Sequence, residues 1–401
     1  MTVDPAALYA TPNGLASHYS RFRVGERLLL TGHSHQAWPD VAFEAQQRAW
    51  LDAAELVDDK WDRAFAEADR ARVGFARLLD DPAGHVALGT STHELVVRFL
   101  SALPLAQRPR LVTTDGEFHT VRRQLDRLAE AGMEVRHVPA RPASQVAERL
   151  AAEVNDRTAA VLVSAVMYEN AHIVPNLRTT LDACRRVGAE LLVDAYHALN
   201  VVPLSLVAEG LEGSYVVGGG YKYCQLGEGN AFLRLPPDCE LRPLITGWFS
   251  EFALLSADPH AVTGRVPYGA GPARFAGATY DPTSHYRAAA VFEFFARAGL
   301  SPALLRVVSQ HQVGLLATEF DDLDLDPAVI DRDRAVPLEA LGGFLALRSP
   351  RAAELTRELG RRGLLTDSRG DVLRLGPAPY LSDEQLRAAI AVLGSAAKTL
   401  G

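Results

Sequence analysis

The sequence predicts an α/β fold, with a large domain on a mainly parallel sheet wound by helices and a smaller α+β C-terminal domain. Three observations carry this. Between His85 and Leu235, short apolar runs alternate with stretches of helical periodicity, the pattern of a parallel sheet with crossover helices. Two apolar runs end in a charge, Asp194 and, just past Gly218-Gly219-Gly220, Lys222. Strand ends are where open α/β sheets place their chemistry. After Ala298 the order changes: the runs LGGFLALRSP and DVLRLGPAPY read as strands, with Ala352–Arg361 and Asp383–Leu393 as helices.

The elements follow in order. The first ~40 residues are turn-rich and end in LLLTGHSHQAWPD, a short strand entering a loop with His33, Ser34 and His35. Asp40 is placed to cap a helix over 41–51, and 61–79 is a second amphipathic helix. A brief strand over 85–88 meets Gly89-Thr90-Ser91-Thr92, which opens the helix 93–100 with hydroxyls and free N–H groups, a setting suited to phosphate. Strands are then expected at 110–114, 134–138, 159–165, 190–193 and 231–235, and helices at 120–131, 143–154 and 177–187. The Gly- and Pro-rich run from Ile245 to His285 is irregular, and long irregular runs are usually functional or at an interface. A long helix over 285–298 leads out of the large domain. The expected division is an N-terminal segment 1–40 packing with the small domain, a large domain 41–284 and a small domain 285–401.

Composition excludes several functions. At 401 residues and 48% hydrophobic content the chain can bury a large core, and no apolar run reaches the ~20 residues that span a bilayer. The N-terminus lacks a basic region followed by a long apolar core, so a cytoplasmic location is expected. A net charge of -8 argues against nucleic acid as partner. Cys184, Cys224 and Cys239 fit neither a disulfide framework nor a metal site, and His33-Ser34-His35 lacks zinc-ligand company, so no metal is expected.

Of 41 basic residues, three are lysines: Lys60, Lys222 and Lys398. Arginine stays protonated and cannot serve as an imine-forming amine. A lysine past a Gly-rich strand end can lose solvation and condense with an aldehyde, while an aspartate from a neighbouring strand holds a positive charge on a ring. Asp194 and Lys222, 28 residues apart within one crossover, form the pair that pyridoxal phosphate requires, with His197 close by in sequence.

Four motifs then carry a resemblance: Asp194-Ala195-Tyr196-His197, Gly220-Tyr221-Lys222-Tyr223, Thr246-Gly247-Trp248-Phe249 and Val372-Leu373-Arg374-Leu375-Gly376-Pro377. Over most of its length the chain resembles pyridoxal-phosphate enzymes of fold type I, the aminotransferase class V branch, and within it kynureninase. The resemblance implies a seven-stranded sheet, a homodimer with a shared active site and an amino-acid substrate. Lys222 would carry the cofactor and move protons at the substrate α-carbon, Asp194 would pair with the ring nitrogen, and His197 would lie near both. Phe118 matches the residue stacked on the ring, or His119 if the register slips by one. Ser91, Thr92 and Tyr221 match the phosphate site, while Trp248 and Thr279 match positions that complete the partner subunit's site. Arg374 matches the arginine gripping the substrate α-carboxylate, a task suited to a planar fork. His33 and His35 either contact substrate from the N-terminal loop or are merely exposed.

Two enzymatic readings follow, a kynureninase-like hydrolase cleaving a C–C bond, and an aminotransferase or β-eliminating lyase using the same Lys222, Asp194 and Arg374. A cysteine desulfurase needs a nucleophilic cysteine late in the chain, and the last one here is Cys239. An intact Arg374 argues against a cofactor binder without activity. The chain departs from kynureninase at Val121, at Gly32-His33-Ser34-His35-Gln36 and at Glu169, where the substrate side chain is read.

Overall fold

The computed structural model describes residues 3–81, 83–254 and 266–400. Residues 255–265 of the expected irregular run lie outside them. After three short 3-10 helices, Pro5–Leu8, Ala16–Phe22 and Val24–Glu26, come strand β1 (Leu28–Leu29) and helices α1 (Asp40–Leu56) and α2 (Lys60–Leu78). The large sheet contains β2 (Val86–Gly89), β3 (Arg110–Thr114), β4 (Glu134–Val138), β5 (Thr158–Ser164), β6 (Glu190–Asp194), β7 (Tyr215–Gly219) and β8 (Ala231–Arg234). Their order is β2-β8-β7-β6-β5-β3-β4. Strands β3, β5, β6, β7 and β8 are almost wholly buried, as apolar runs covered on both faces must be.

Among the described residues, β8 runs opposite to the other six strands of this sheet. Eleven residues link β7 to β8, fewer than a crossover helix needs, so the chain turns back antiparallel. Helices α3 (Thr92–Ala102), α4 (His119–Glu130), α5 (Val146–Glu153), α6 (Leu177–Val187) and the short α7 (Leu206–Glu209) make the connections. From β3 the chain moves outward to β4, then returns to β5 on the other side of β3. This reversal opens a crevice at the C-terminal strand ends, the usual ligand position in such sheets.

Helix α8 (Thr283–Ala298) lies along α1 and α2, burying Ala288, Val291 and Phe295. After it, α9 (Pro302–Asp321), β9 (Asp331–Arg332), β10 (Leu345–Arg348), α10 (Ala352–Arg361), β11 (Leu364–Leu365), β12 (Asp367–Arg369), β13 (Val372–Leu375) and α11 (Asp383–Leu400) complete the chain. Four of these strands make an antiparallel sheet, β12-β13-β10-β9, while β11 pairs parallel with β1.

Two expectations are corrected. Pro39, not Asp40, takes the cap position of α1; the Asp40 carboxylate instead accepts N–H groups from Ser20 and Arg21, tying the N-terminal turns to the helix. No element was expected between Ala298 and Leu341, yet the twenty-residue α9 fills much of it, with the Ser301 hydroxyl accepting from Leu304 N and Pro302 in its first turn.

The large sheet holds one buried ion pair away from the crevice. Arg234 donates from Nε to Asp81 Oδ2 at 2.8 Å and from Nη1 to the Glu212 and Ser214 carbonyls, with both side chains almost fully buried. Asp81→Ala leaves that guanidinium charge uncompensated, so a loss of about 3–5 kcal/mol in urea unfolding is expected.

Candidate active site

The crevice holds a cavity of about 250 Å³. Its walls come from the N-terminus of α3 (Thr90, Ser91, Thr92), the end of β5 (Ser164), the end of β6 (Asp194, Tyr196, His197), Tyr221 and Lys222 after β7, and Phe118 before α4. Residues far apart in sequence thus meet because strand ends converge. Gly219 permits this, since a Cβ there would lie 2.3 Å from the Tyr196 hydroxyl.

Lys222 is 6% exposed, and its Nζ lies 2.7 Å from His197 Nε2 and 4.7 Å from the Tyr196 ring centre. Burial pulls its ammonium down to about 7, Asp194 opposing and Arg374 adding to the effect. Burial, joined by the Lys222 charge, holds His197 well below the ordinary histidine value. A neutral His197 accepting from Lys222 leaves Nδ1 without a partner. Asp194 spends Oδ1 on the Tyr196 N–H at 2.8 Å, and burial raises its carboxyl against that bond and the Lys222 charge.

At the other end of the cavity, Ser91 caps α3 by accepting from Glu94 N at 3.3 Å. Thr92 Oγ1 and Asn230 Oδ1 are buried without hydrogen-bond partners. An orphaned hydroxyl beside the free N–H groups of a helix start suits an anion. Phe118 lines the cavity with its ring centre 5.3 Å from Lys222 Nζ, while the neighbouring His119 is exposed and does not line it. Phe118→Ala should therefore weaken cofactor binding by about tenfold in a fluorescence titration, the loss expected for one stacked ring, and His119→Ala should leave it unchanged.

Other expected site residues do not line this cavity, although Arg374 lies near enough for its charge to act on Lys222 and His197. His33 is fully buried and away from the cavity wall, with Nε2 2.7 Å from Asp367 Oδ1; burial brings it to about 4, so it is neutral at pH 7. Simple exposure fails for it, because Asp367 and Phe344 enclose the ring. His35 is exposed and stacks on Tyr221 at 4.8 Å. Arg374 is 3% exposed and engaged with Asp367 and the Tyr168 carbonyl. Trp248 and Thr279 are exposed and do not line this cavity; Trp248 packs on Phe249 and Phe252 in an exposed aromatic cluster.

Sequence reasoning missed Glu117. It is 2% exposed, accepting from Thr114 Oγ1 at 2.7 Å, Ser164 Oγ at 2.6 Å and Ser164 N at 3.2 Å, so it staples β3 to β5 directly behind Phe118. Its place in Gly116-Glu117-Phe118, just past a strand end, was the available signal. Burial raises it to about 7 over the opposition of those hydrogen bonds. A carboxyl raised on folding stabilises fully below its unfolded value near 4.5 and loses that contribution as pH rises through about 7. Glu117→Gln should accordingly gain about 3 kcal/mol relative to wild type between pH 4 and pH 8, read by urea unfolding of the apo protein.

No family model matches the chain. Two relatives align along most of it. An uncharacterized aminotransferase, YcbU, of Bacillus subtilis (strain 168) is 24% identical over 379 residues, covering 93% of this chain and 94% of the relative. Isopenicillin N epimerase of Streptomyces clavuligerus is 28% identical over 373 residues, covering 87% and 89%. Among solved structures, the cystine C–S lyase C-DES bound to cysteine persulfide superposes with a TM-score of 0.79 at 17% identity over 92% of this chain and 98% of that one. A C-DES mutant with glycine covalently linked to its PLP cofactor reaches 0.82 at 17% identity, over 94% and 98%. A cysteine desulfurase from Thermococcus onnurineus NA1 reaches 0.77 at 15% identity, over 93% and 95%. The chain therefore has the α/β fold type I of pyridoxal-phosphate enzymes, with a mixed seven-stranded sheet.

Proposed function

We propose that this chain is a pyridoxal-phosphate-dependent enzyme of the aminotransferase class V type, acting at the α-carbon of an amino acid. One observation carries the reading: a buried lysine, drawn down to about 7, shares a strand-end cavity with a buried aspartate and an open helix N-terminus. The donor set fits the cofactor. Thr92 Oγ1 and the first N–H groups of α3, with Ser91 and Tyr221, would hold the phosphate, Phe118 would cover the ring and Asp194 would pair with its nitrogen, all of them lining the one cavity. Bound there, the cofactor supplies an aldehyde for the substrate amine and a ring that accepts electron density when an α-bond breaks. Lys222, close to neutral, takes and returns the α-proton, and His197 beside it holds the amine in place. Trp248 and Thr279, exposed on the same chain, would meet the site of a second copy in a homodimer.

Exchange of the α-hydrogen is common to transamination, elimination, epimerisation and hydrolytic cleavage. Reconstituted protein incubated with amino acids in D₂O should therefore lose the α-proton signal in NMR for at least one of them. A protein that binds the cofactor but exchanges none would sink the reading.

The finer proposal of kynurenine cleavage rests on the motifs around Lys222 and Trp248, and anthranilate fluorescence after kynurenine addition tests it. Val121 is buried and Glu169 is paired with Arg141 at 2.7 Å, so neither supplies the kynureninase side-chain contacts. A C–S lyase needs no protein thiol, and burial pushes the Cys184, Cys224 and Cys239 thiols up, which disfavours a persulfide-forming cysteine.

A further inference from the structure

Arg374 does not offer an empty fork. Nε donates to Asp367 Oδ1 at 2.9 Å and Nη2 to Oδ2 at 2.5 Å, so one edge of the guanidinium is already closed on a carboxylate of the same chain. Nη1 donates to the Tyr168 carbonyl at 2.7 Å. A guanidinium has five N–H groups, so two remain, enough for the two oxygens of one further carboxylate.

Asp367 is held where it is. It lies on β12 directly opposite Arg374 on β13, across the two-residue turn Gly370-Asp371. Its Oδ1 also accepts from His33 Nε2 at 2.7 Å. The His33 ring sits 4.8 Å from Phe344, the same ring that lies 5.7 Å from the Arg374 guanidinium. Gly376 makes room for it, since a Cβ there would fall 2.2 Å from His33 Nδ1. Displacing Asp367 would strand a buried guanidinium and a buried imidazole N–H together, so an arriving substrate meets the pair intact.

We propose that Asp367, backed by His33, is a positioning residue that keeps the Nε/Nη2 edge of Arg374 occupied, so that a substrate α-carboxylate is received on the remaining N–H groups in one fixed plane. This rests on the amino-acid-enzyme reading above. It gives the N-terminal loop a part in substrate recognition without any contact between His33 and substrate.

The test compares two amines that differ by a carboxylate. Wild-type, Asp367→Ala and Asp367→Asn proteins loaded with pyridoxal phosphate are titrated with L-alanine and with ethylamine, following the visible absorbance change as each amine reacts. In Asp367→Ala the apparent affinity for L-alanine should fall by about tenfold or more while ethylamine stays within about twofold, the signature of a misplaced carboxylate partner. Asp367→Asn, which keeps an acceptor but loses the charge, should fall between, and it decides the matter if the alanine variant does not fold. Tighter L-alanine binding in either variant would show that Asp367 competes with substrate, and equal losses for both amines would show a purely structural role; each overturns the proposal. A wild-type protein that develops no visible band with pyridoxal phosphate overturns the reading beneath it, and this inference with it.

Discussion

Lys222→Ala is expected to abolish the visible absorbance of the cofactor-loaded protein and to lower turnover by about 10⁴-fold, the upper range for loss of a proton-transferring side chain. The other two lysines cannot substitute, since Lys60 starts α2 beside Trp61 and Lys398 lies near the end of α11, both away from the cavity walls. Lys222→Arg should fail as well, because a guanidinium is not deprotonated in a protein. The wild-type amine titrates at about 7 instead of 10.5. Its free-base fraction therefore rises with pH through about 7 and levels off above it. The rate at which apo protein takes up pyridoxal phosphate should follow that curve, as stopped-flow absorbance would show. A rate still climbing at pH 10 would mean that Lys222 is not desolvated in solution.

Asp194→Asn should lower turnover by about 10² to 10³-fold, the usual loss on removing one preorganised electrostatic partner in a dry site. The amide is nearly isosteric with the acid and its oxygen can still accept the Tyr196 N–H, so the fold around β6 should survive. Only the negative charge facing the cavity would be lost. Burial already raises the Asp194 carboxyl in the apo protein, so apo Asp194→Asn should be no less stable than wild type. Reduced turnover with an unchanged melting temperature places the effect in the chemistry; a large drop in melting temperature would place it in folding.

Much of the architecture was legible in sequence. Strand β3 and helices α6 and α10 fall where apolar periodicity puts them, because each buries an apolar run or stripe and ends at a polar or Gly break, and the edge strand β4 falls at its expected bounds with only Val138 buried. The reversed β8 was not legible as such, since the strand pattern is the same in either direction and the short link after β7 decides it. Helix α9 carried its Ser-Pro start, but tertiary packing sets its extent.

The candidate site divides in the same way. Asp194, Lys222 and the hydroxyls before α3 could be found by sequence, because each residue type has a chemical reason to stand at a strand end or a helix start. Glu117, Asp367 and the true setting of His33 could not, although the Gly370-Asp371 turn hints at the pairing of Asp367 with Arg374. What the sequence by itself determined is which residue types stand at the strand ends and helix start of the candidate site, since these fall at breaks in a periodic pattern. What only the tertiary structure decided is which charges meet: His33 and Asp367 are 334 residues apart, and their contact follows from the pairing of β1 with β11 and the bridge from Thr31 to Gly376. Pairings of that range depend on how whole elements pack, which no local pattern records.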